Sequence, residues 1–247
     1  MAVNPFVGAS VAGRYAAARP ALHGQAIALL ASRVPEVPRA IDIGCGTGLS
    51  THALAGVAGH VVGVDASEDM LAHAIKEQGV SFVSAVAERL PFPDAAFDLA
   101  SVASAIHWFA PSALREVRRV LDSDGSLLVY DVWFRAEMAG VPSFGEWLEE
   151  ASATRYPPVQ KNPRPDLEEM GFIPAWNEDL RQEVSMSIDG LVDYLMTHSE
   201  RIAAVQSGLE SEEEQRRFFS DGMISFFEEA PRRQLGFGIR VEMFSMA

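Results

Sequence analysis

A chain of 247 residues, 48% hydrophobic and 22% charged, is long enough to bury a full α/β core with insertions. Its formal net charge of −14 is the wrong sign for a surface that tracks a phosphate backbone, so nucleic acid is not an expected partner. The lone Cys45 rules out an internal disulfide and a multi-cysteine zinc site, and the six histidines form no pair at helical metal-ligand spacing. There is also no basic start followed by an apolar core and no run approaching ~20 apolar residues, so a soluble, cytoplasmic protein without metal or membrane partner is expected.

After a loose start, residues 20–34 carry Leu22, Ala26, Leu29 and Leu30 at helical spacing, and Pro35 and Pro38 close that helix. Residues 40–43 form a short apolar strand that ends in glycines and feeds a helix over 49–57. A second buried strand covers 61–65, and Ser67 caps a helix that Gly79 is expected to end. A third strand covers 81–84 and a fourth 97–102. Pro111 then opens a helix bearing Leu114, Val117, Val120 and Leu121, and a fifth strand covers 126–132.

Short apolar strands alternating with helices imply parallel crossovers and a sheet covered on both faces, a doubly wound Rossmann-like α/β fold. Past Val132 the rhythm breaks. The aromatic stretch 133–164, closing with Tyr156-Pro157-Pro158 and Pro163-Arg164-Pro165, reads as an insertion or lid rather than a core layer, and 165–172 as a short helix. A polar strand near 181–187, helices from Asp189 and from Ser211, and a last, antiparallel strand over 236–246 complete the pattern. Ser211 with Glu214 three residues on is a capping box, so Glu212, Glu213 and Glu214 read as a solvated first helical turn.

A strand ending in Ile41-Asp42-Ile43 and running into Gly44-Cys45-Gly46-Thr47-Gly48 is a nucleotide-type turn, because glycines let the backbone pass close beneath a ligand. Asp65 ends the next strand about 20 residues later, where a carboxylate accepts from both ribose hydroxyls. Leu49 stands where the dinucleotide fingerprint needs glycine or alanine, which argues against a nicotinamide cofactor.

Residues 41–50 resemble motif I of class I S-adenosylmethionine-dependent methyltransferases, and Asp65 matches the acidic residue of motif II. Ala87-Glu88-Arg89-Leu90-Pro91-Phe92-Pro93-Asp94-Ala95-Ala96-Phe97-Asp98 is similar to the segment where that family rests the adenine ring. The resemblance spans about residues 8–132. It implies S-adenosylmethionine as cofactor, held by Gly44, Cys45, Gly46 and Gly48, by Asp65, Ala66 and Met70, by Ala87 and Glu88, and by Ser104. Asp42 either contacts the cofactor or supports the turn. Val86 stands where the family often has an acidic residue, which leaves adenine recognition to backbone groups near Ala87.

More narrowly, Tyr15 to Pro20, the Ala-Glu-Leu-Pro segment, Ala105-Ile106-His107-Trp108-Phe109 and Tyr194 to Ser199 resemble the methyltransferases of the trans-aconitate carboxylate type. That resemblance implies an N-terminal segment, with Tyr15 and Arg19 four apart, folded over the cofactor.

The one chain is thereby divided into a cofactor-covering segment (1–34), a cofactor-binding core (35–132), a lid or acceptor-binding insertion (133–180) and C-terminal strands and helices (181–247). His107 follows the fourth strand, at the edge where doubly wound sheets place ligands. It is the candidate base or acceptor contact, with Trp108 and Phe109 as candidate pocket walls or core residues.

A carboxylate acceptor is ionised at neutral pH and needs no base, so the lack of an obvious acid–base pair favours methyl transfer to the carboxylate of a small molecule. The alternatives are O-, N- or C-methylation in secondary or quinone metabolism with His107 as base, or a cofactor-binding sensor without turnover. Arg155, Lys161 and Arg164 form a basic cluster that is either a solvated loop or an attractor for an anionic acceptor.

Overall fold

The computed structural model describes residues 5–153 and 155–247. Among them, β1 (Val37–Ile43), β2 (Ala58–Asp65), β3 (Val80–Ser84), β4 (Phe97–Ala103), β5 (Leu121–Met138), β6 (Phe172–Met186) and β7 (Arg233–Met246) form one sheet in the order β3-β2-β1-β4-β5-β7-β6. The first five strands are parallel, and β7 runs antiparallel between β5 and β6. Strand order reverses between β1 and β4, so a crevice opens at the carboxyl ends of those strands.

The unbroken run Ala40-Ile41-Asp42-Ile43 is buried throughout, as a central strand covered on both faces must be. Ala40, Val61 and Leu99 point to the face covered by α2 (His23–Ala31) and α3 (Leu49–Leu54). Ile41, Val62 and Val102 point to the other face, where Leu114, Val117 and Val120 of α5 (Ala113–Val120) pack. Truncating one such buried Leu to Ala costs about 2–5 kcal/mol.

Four expectations need correction. The helix after Ser67 is a single turn, α4 (Glu68–Leu71), and does not reach Gly79. Its cap is as expected, with Ser67 Oγ accepting from Met70 N at 3.3 Å. The residues beyond it, Ile75 to Gln78, are exposed and offer no apolar face to stabilise further turns.

Residues 165–172 are not a helix. Asp166 accepts from the amides of Glu168 (3.0 Å) and Glu169 (3.1 Å), Gly171 adopts φ 83°, and the Arg118 guanidinium takes the carbonyls of Met170 and Gly171. These side-chain and glycine contacts fix a turn in place of a helix.

β5 continues six residues past Val132 because β7 offers it a partner as far as Met138↔Leu235. With Phe144 and Leu148 of α6 (Ser143–Ala153) buried, the first half of the supposed lid belongs to the core. The polar strand near 181–187 is the end of β6, which begins at Phe172 and is polar on alternate residues because it is the sheet edge.

Toward the termini, α1 (Ala9–Ala18) lies beside α7 (Ile188–Leu195). α8 (Ser199–Gln206) follows it, and α9 (Glu212–Phe227) starts with the capping box at Ser211 and Glu214. No helix among the described residues is long and apolar enough to cross a membrane.

Candidate active site

The glycine turn joins β1 to α3. Gly44 N and Cys45 N both donate to Val64 O, at 2.8 and 3.0 Å, which pins the turn to the end of β2. Gly44 has φ 74°, and a Cβ there would lie 2.6 Å from Ala105 Cβ; at Gly48, with φ 83°, it would lie 2.8 Å from Phe82 Cζ. Only glycine meets both conditions.

Asp42 sits fully buried beneath the turn. Its Oδ2 accepts from Ser50 Oγ at 2.6 Å and Thr51 Oγ1 at 2.7 Å, tying the first turn of α3 to β1. Burial pushes its carboxyl up to about 6, against the pull of those two hydroxyls.

Asp65, at the end of β2, accepts from Gly46 N through Oδ2 and from Ser67 N through Oδ1, both at 2.8 Å. Burial raises its pKa, while the surrounding amides oppose the rise. A carboxylate has about four lone-pair sites, so it can still accept from a ligand.

Asp65 faces a cavity of about 490 Å³ at the carboxyl ends of β1, β2, β3 and β4. Gly44, Gly46, Ala66 and Met70 line this end of it, as do Val86, Ala87 and Glu88 beyond β3. Glu88 Oε1 also accepts from Ala110 N at 2.8 Å, holding the loop beyond β4. Ser104 lines the cavity with φ 52°, held there by Ser104 N donating to Tyr130 O and by Val132 N donating to its Oγ. A non-glycine residue in the left-handed region is strained and persists because its surroundings enforce it.

Three expected cofactor residues stand elsewhere. Asp42 and Gly48 lie behind the cavity wall, and Cys45 lines an adjoining recess of about 50 Å³ that shares Tyr15, Arg19, Gly44, Gly46 and Ser104 with the cavity.

Side chains from distant segments complete the wall, and Tyr15 and Arg19 stand beside the glycine turn, sharing a recess with Gly44 and Gly46. Tyr15 of α1 and Arg19 just past it both line the cavity. The Arg19 guanidinium lies 4.7 Å from the Tyr15 ring and 5.1 Å from the Tyr194 ring, and donates to Thr197 O at 3.0 Å. His107 and Trp108 lie in a 3₁₀ turn (Ile106–Trp108), followed by Phe109, and all three face the cavity. Asn162 buttresses this turn, its amide donating to His107 O at 2.9 Å and its side chain to Trp108 O (3.3 Å) and Phe109 O (3.0 Å). Burial and the nearby Lys161 ammonium push the His107 imidazole down to about 4.

The basic cluster separates. Arg155 pairs with Glu210 and Arg164 with Glu242, whereas Lys161 faces the cavity, 5.8 Å from the Trp108 ring centre and 4.0 Å from Glu200.

No local feature of the chain marks Trp133, Tyr194, His198 or Ser199 as wall residues, although all four line the cavity. The stretch from Tyr194 to Ser199 stood out only through its resemblance to carboxylate methyltransferases. Among the described residues, no group of three or more His, Cys, Asp or Glu side chains is placed to hold a metal ion.

Comparison with known proteins agrees with this geometry. The methyltransferase domain family matches residues 41–129, the span from β1 to β5. A Dictyostelium discoideum protein named as a methyltransferase is 27% identical over 209 residues, covering 81% of this chain and 79% of that one. A malonyl-[acyl-carrier protein] O-methyltransferase of Erwinia pyrifoliae is 43% identical over 95 residues, about a third of each chain at 36%. The solved structure of a protein described as a type II methyltransferase from Anaeromyxobacter dehalogenans superposes with a TM-score of 0.68 at 22% identity, over 90% of this chain and 95% of that one. With its seven-stranded mixed sheet, glycine turn and strand-end carboxylate, the chain carries an S-adenosylmethionine-dependent methyltransferase domain of the class I fold, matched over residues 41–129.

Proposed function

We propose that this methyltransferase acts on the carboxylate oxygen of a small molecule. One observation carries the reading: the acceptor end of the cavity presents a lysine, Lys161, and its candidate base, His107, is held near 4. An imidazole so depressed is a poor match for a phenol of pKa ~10, whereas a carboxylate near ~4 arrives ionised and needs no base. The malonyl O-methyltransferase of Erwinia pyrifoliae is in keeping with an acid as acceptor.

The cavity suits the cofactor, since ligand sites typically run from ~300 to 1,000 Å³. Gly44 and Gly46 bring bare backbone to its wall. Asp65 has lone pairs left for ribose hydroxyls, and the backbone about Ala87 is open beside the half-exposed Val86. Bound S-adenosylmethionine supplies an electrophilic methyl group, which the acceptor oxygen takes as the carbon–sulfur bond breaks.

The chain's own work is then alignment and exclusion of water. Tyr15, Arg19 and Tyr194 close the cavity from the α1–α7 side, Trp108 and Phe109 wall it opposite, and Lys161 attracts the acid. His107 serves as a contact rather than a proton acceptor.

The test is a screen of metabolite pools with methyl-labelled cofactor, read by mass spectrometry. Label in carboxylic acids is the expected result, and label in phenols, amines or carbon acids alone would overturn the proposal.

A further inference from the structure

One titratable side chain in the cavity has no part in that reading. His198 sits at the junction of α7 and α8, with its ring edge-on to Tyr194 at 5.0 Å between centres, and it lines the same cavity as His107 and Lys161. Its Nδ1 lies 2.7 Å from Nη1 of Arg201, one helical turn further on. Arg201 is itself fixed. It is 5% exposed, its Nη2 donates to Ser152 Oγ on α6 at 3.0 Å, and its guanidinium lies 5.4 Å and 4.9 Å from the rings of Tyr156 and Phe219.

A guanidinium has five N–H donors and no acceptor. In the contact with Arg201, therefore, Nδ1 must accept, and a neutral imidazole then carries its proton on Nε2. A second proton on Nδ1 would face a buried cation. His198 is thus a one-way group, with a donor on Nε2 and no free lone pair, so it cannot serve as a base.

We propose that His198 orients the acceptor by donating Nε2–H to one of its oxygens, with Arg201 as the positioning residue that locks the imidazole in this tautomer. The inference rests on the carboxylate reading for its probe, not for its tautomer. A donor beside the Lys161 ammonium suits an acceptor that brings lone pairs, as a carboxylate does, while Glu200, 4.0 Å from Lys161, stands on the same wall.

The test uses the full chain, labelled with ¹⁵N-histidine and saturated with S-adenosylhomocysteine, with malonate and trans-aconitate as probes. Nuclear magnetic resonance is expected to show His198 neutral and protonated at Nε2 from about pH 6 to 8. At least one probe should shift that nitrogen. His198→Phe, which keeps a ring but loses the donor, should weaken that probe about 10- to 100-fold while leaving S-adenosylhomocysteine affinity within about twofold. His198→Gln, which places an amide donor near the old Nε2, should restore most of the loss. Arg201→Met should let the Nδ1–H form appear.

A His198 found protonated at Nδ1, or cationic, in the wild type overturns the proposal. So does a phenylalanine variant that binds a probe as the wild type does. If no carboxylate binds the wild type, the carboxylate reading falls, and the tautomer measurement still decides the place of His198. If Arg201→Met does not fold, the two His198 variants carry the test.

Discussion

The two ends of the cavity are made in different ways. The glycine-turn end comes from the carboxyl termini of four adjacent parallel strands, within residues 43–104, and is largely backbone held locally: Val64 O receives Gly44 N and Cys45 N, and the Asp65 carboxylate receives Gly46 N and Ser67 N. The rest of the wall is side chains from five segments, and its bonds cross the chain. Arg19 to Thr197 spans 178 positions. A binding geometry that depends on one tight turn is written locally, while a pocket that selects a substrate depends on what the fold carries to it.

The largest expected effect falls on the local end. Gly44→Ala adds a Cβ 2.6 Å from Ala105 Cβ at a φ of 74°. It should cost about 3 to 5 kcal/mol of stability, combining strain with overpacking. A denaturant midpoint close to wild type would show that the turn yields, and the contrast between the two ends would weaken.

The buried Asp42 gives a pH signature next in size. Its folded pKa of about 6 exceeds the ordinary value of 3.8, so between these values the folded state keeps a proton that the unfolded state has lost. Stability from this group is highest below pH ~4 and is lost as pH rises through ~6, by about 3 kcal/mol. His23 and His107, each pushed down to about 4, act in the opposite sense over part of that range. The measurement is therefore the wild-type minus Asp42→Asn difference in unfolding free energy across pH 3.5 to 7 in the absence of cofactor. A flat difference would contradict the account.

Asp65→Ala is expected to weaken S-adenosylmethionine binding by roughly 1 to 3 kcal/mol, the cost of leaving polar ligand groups unpaired. Titration calorimetry showing unchanged affinity in a folded variant would remove Asp65 from the site.

At the acceptor end the effects shrink. Once an acceptor is known, His107→Gln should leave kcat within about tenfold, and neither enzyme's rate should titrate near ~6.5. A loss of roughly 10² to 10⁴ would restore His107 as base. Smallest is Arg164→Ala, whose pairing with Glu242 is partly exposed and worth at most about 0.5 kcal/mol, with turnover unchanged. A marked rise in KM would show that the whole basic cluster, not Lys161 alone, draws the acceptor.

The same division sets what the sequence revealed. The strand-and-helix rhythm up to Val132, the glycine turn and Asp65 were legible because burial on both faces and a positive-φ turn each leave a local mark. Past Val132 the marks mislead. β5 runs on because it meets β7 about a hundred residues away, and no window around Trp133 contains that partner. The 165–172 stretch looks helical by composition, yet Asp166, Arg118 and Gly171 make a turn of it. His198 carried no signal in its own surroundings, and Lys161 only that of a basic cluster. Lys161 read as one of three cations of a loop, solvated or drawing an anionic acceptor; all three pair with glutamates, and only the fold sets Lys161, with its partner Glu200, on the cavity wall.

The central claim, methyl transfer to a carboxylate without a base, is tested most directly by the chemical stability of the product. The enzyme is incubated with methyl-labelled S-adenosylmethionine and a metabolite extract, and the products are treated with mild alkali. A methyl ester hydrolyses and releases the label as volatile methanol, whereas a methyl ether, a methylamine or a C-methyl group keeps it. The account predicts base-labile label that depends on the enzyme. Label that survives alkali would contradict it.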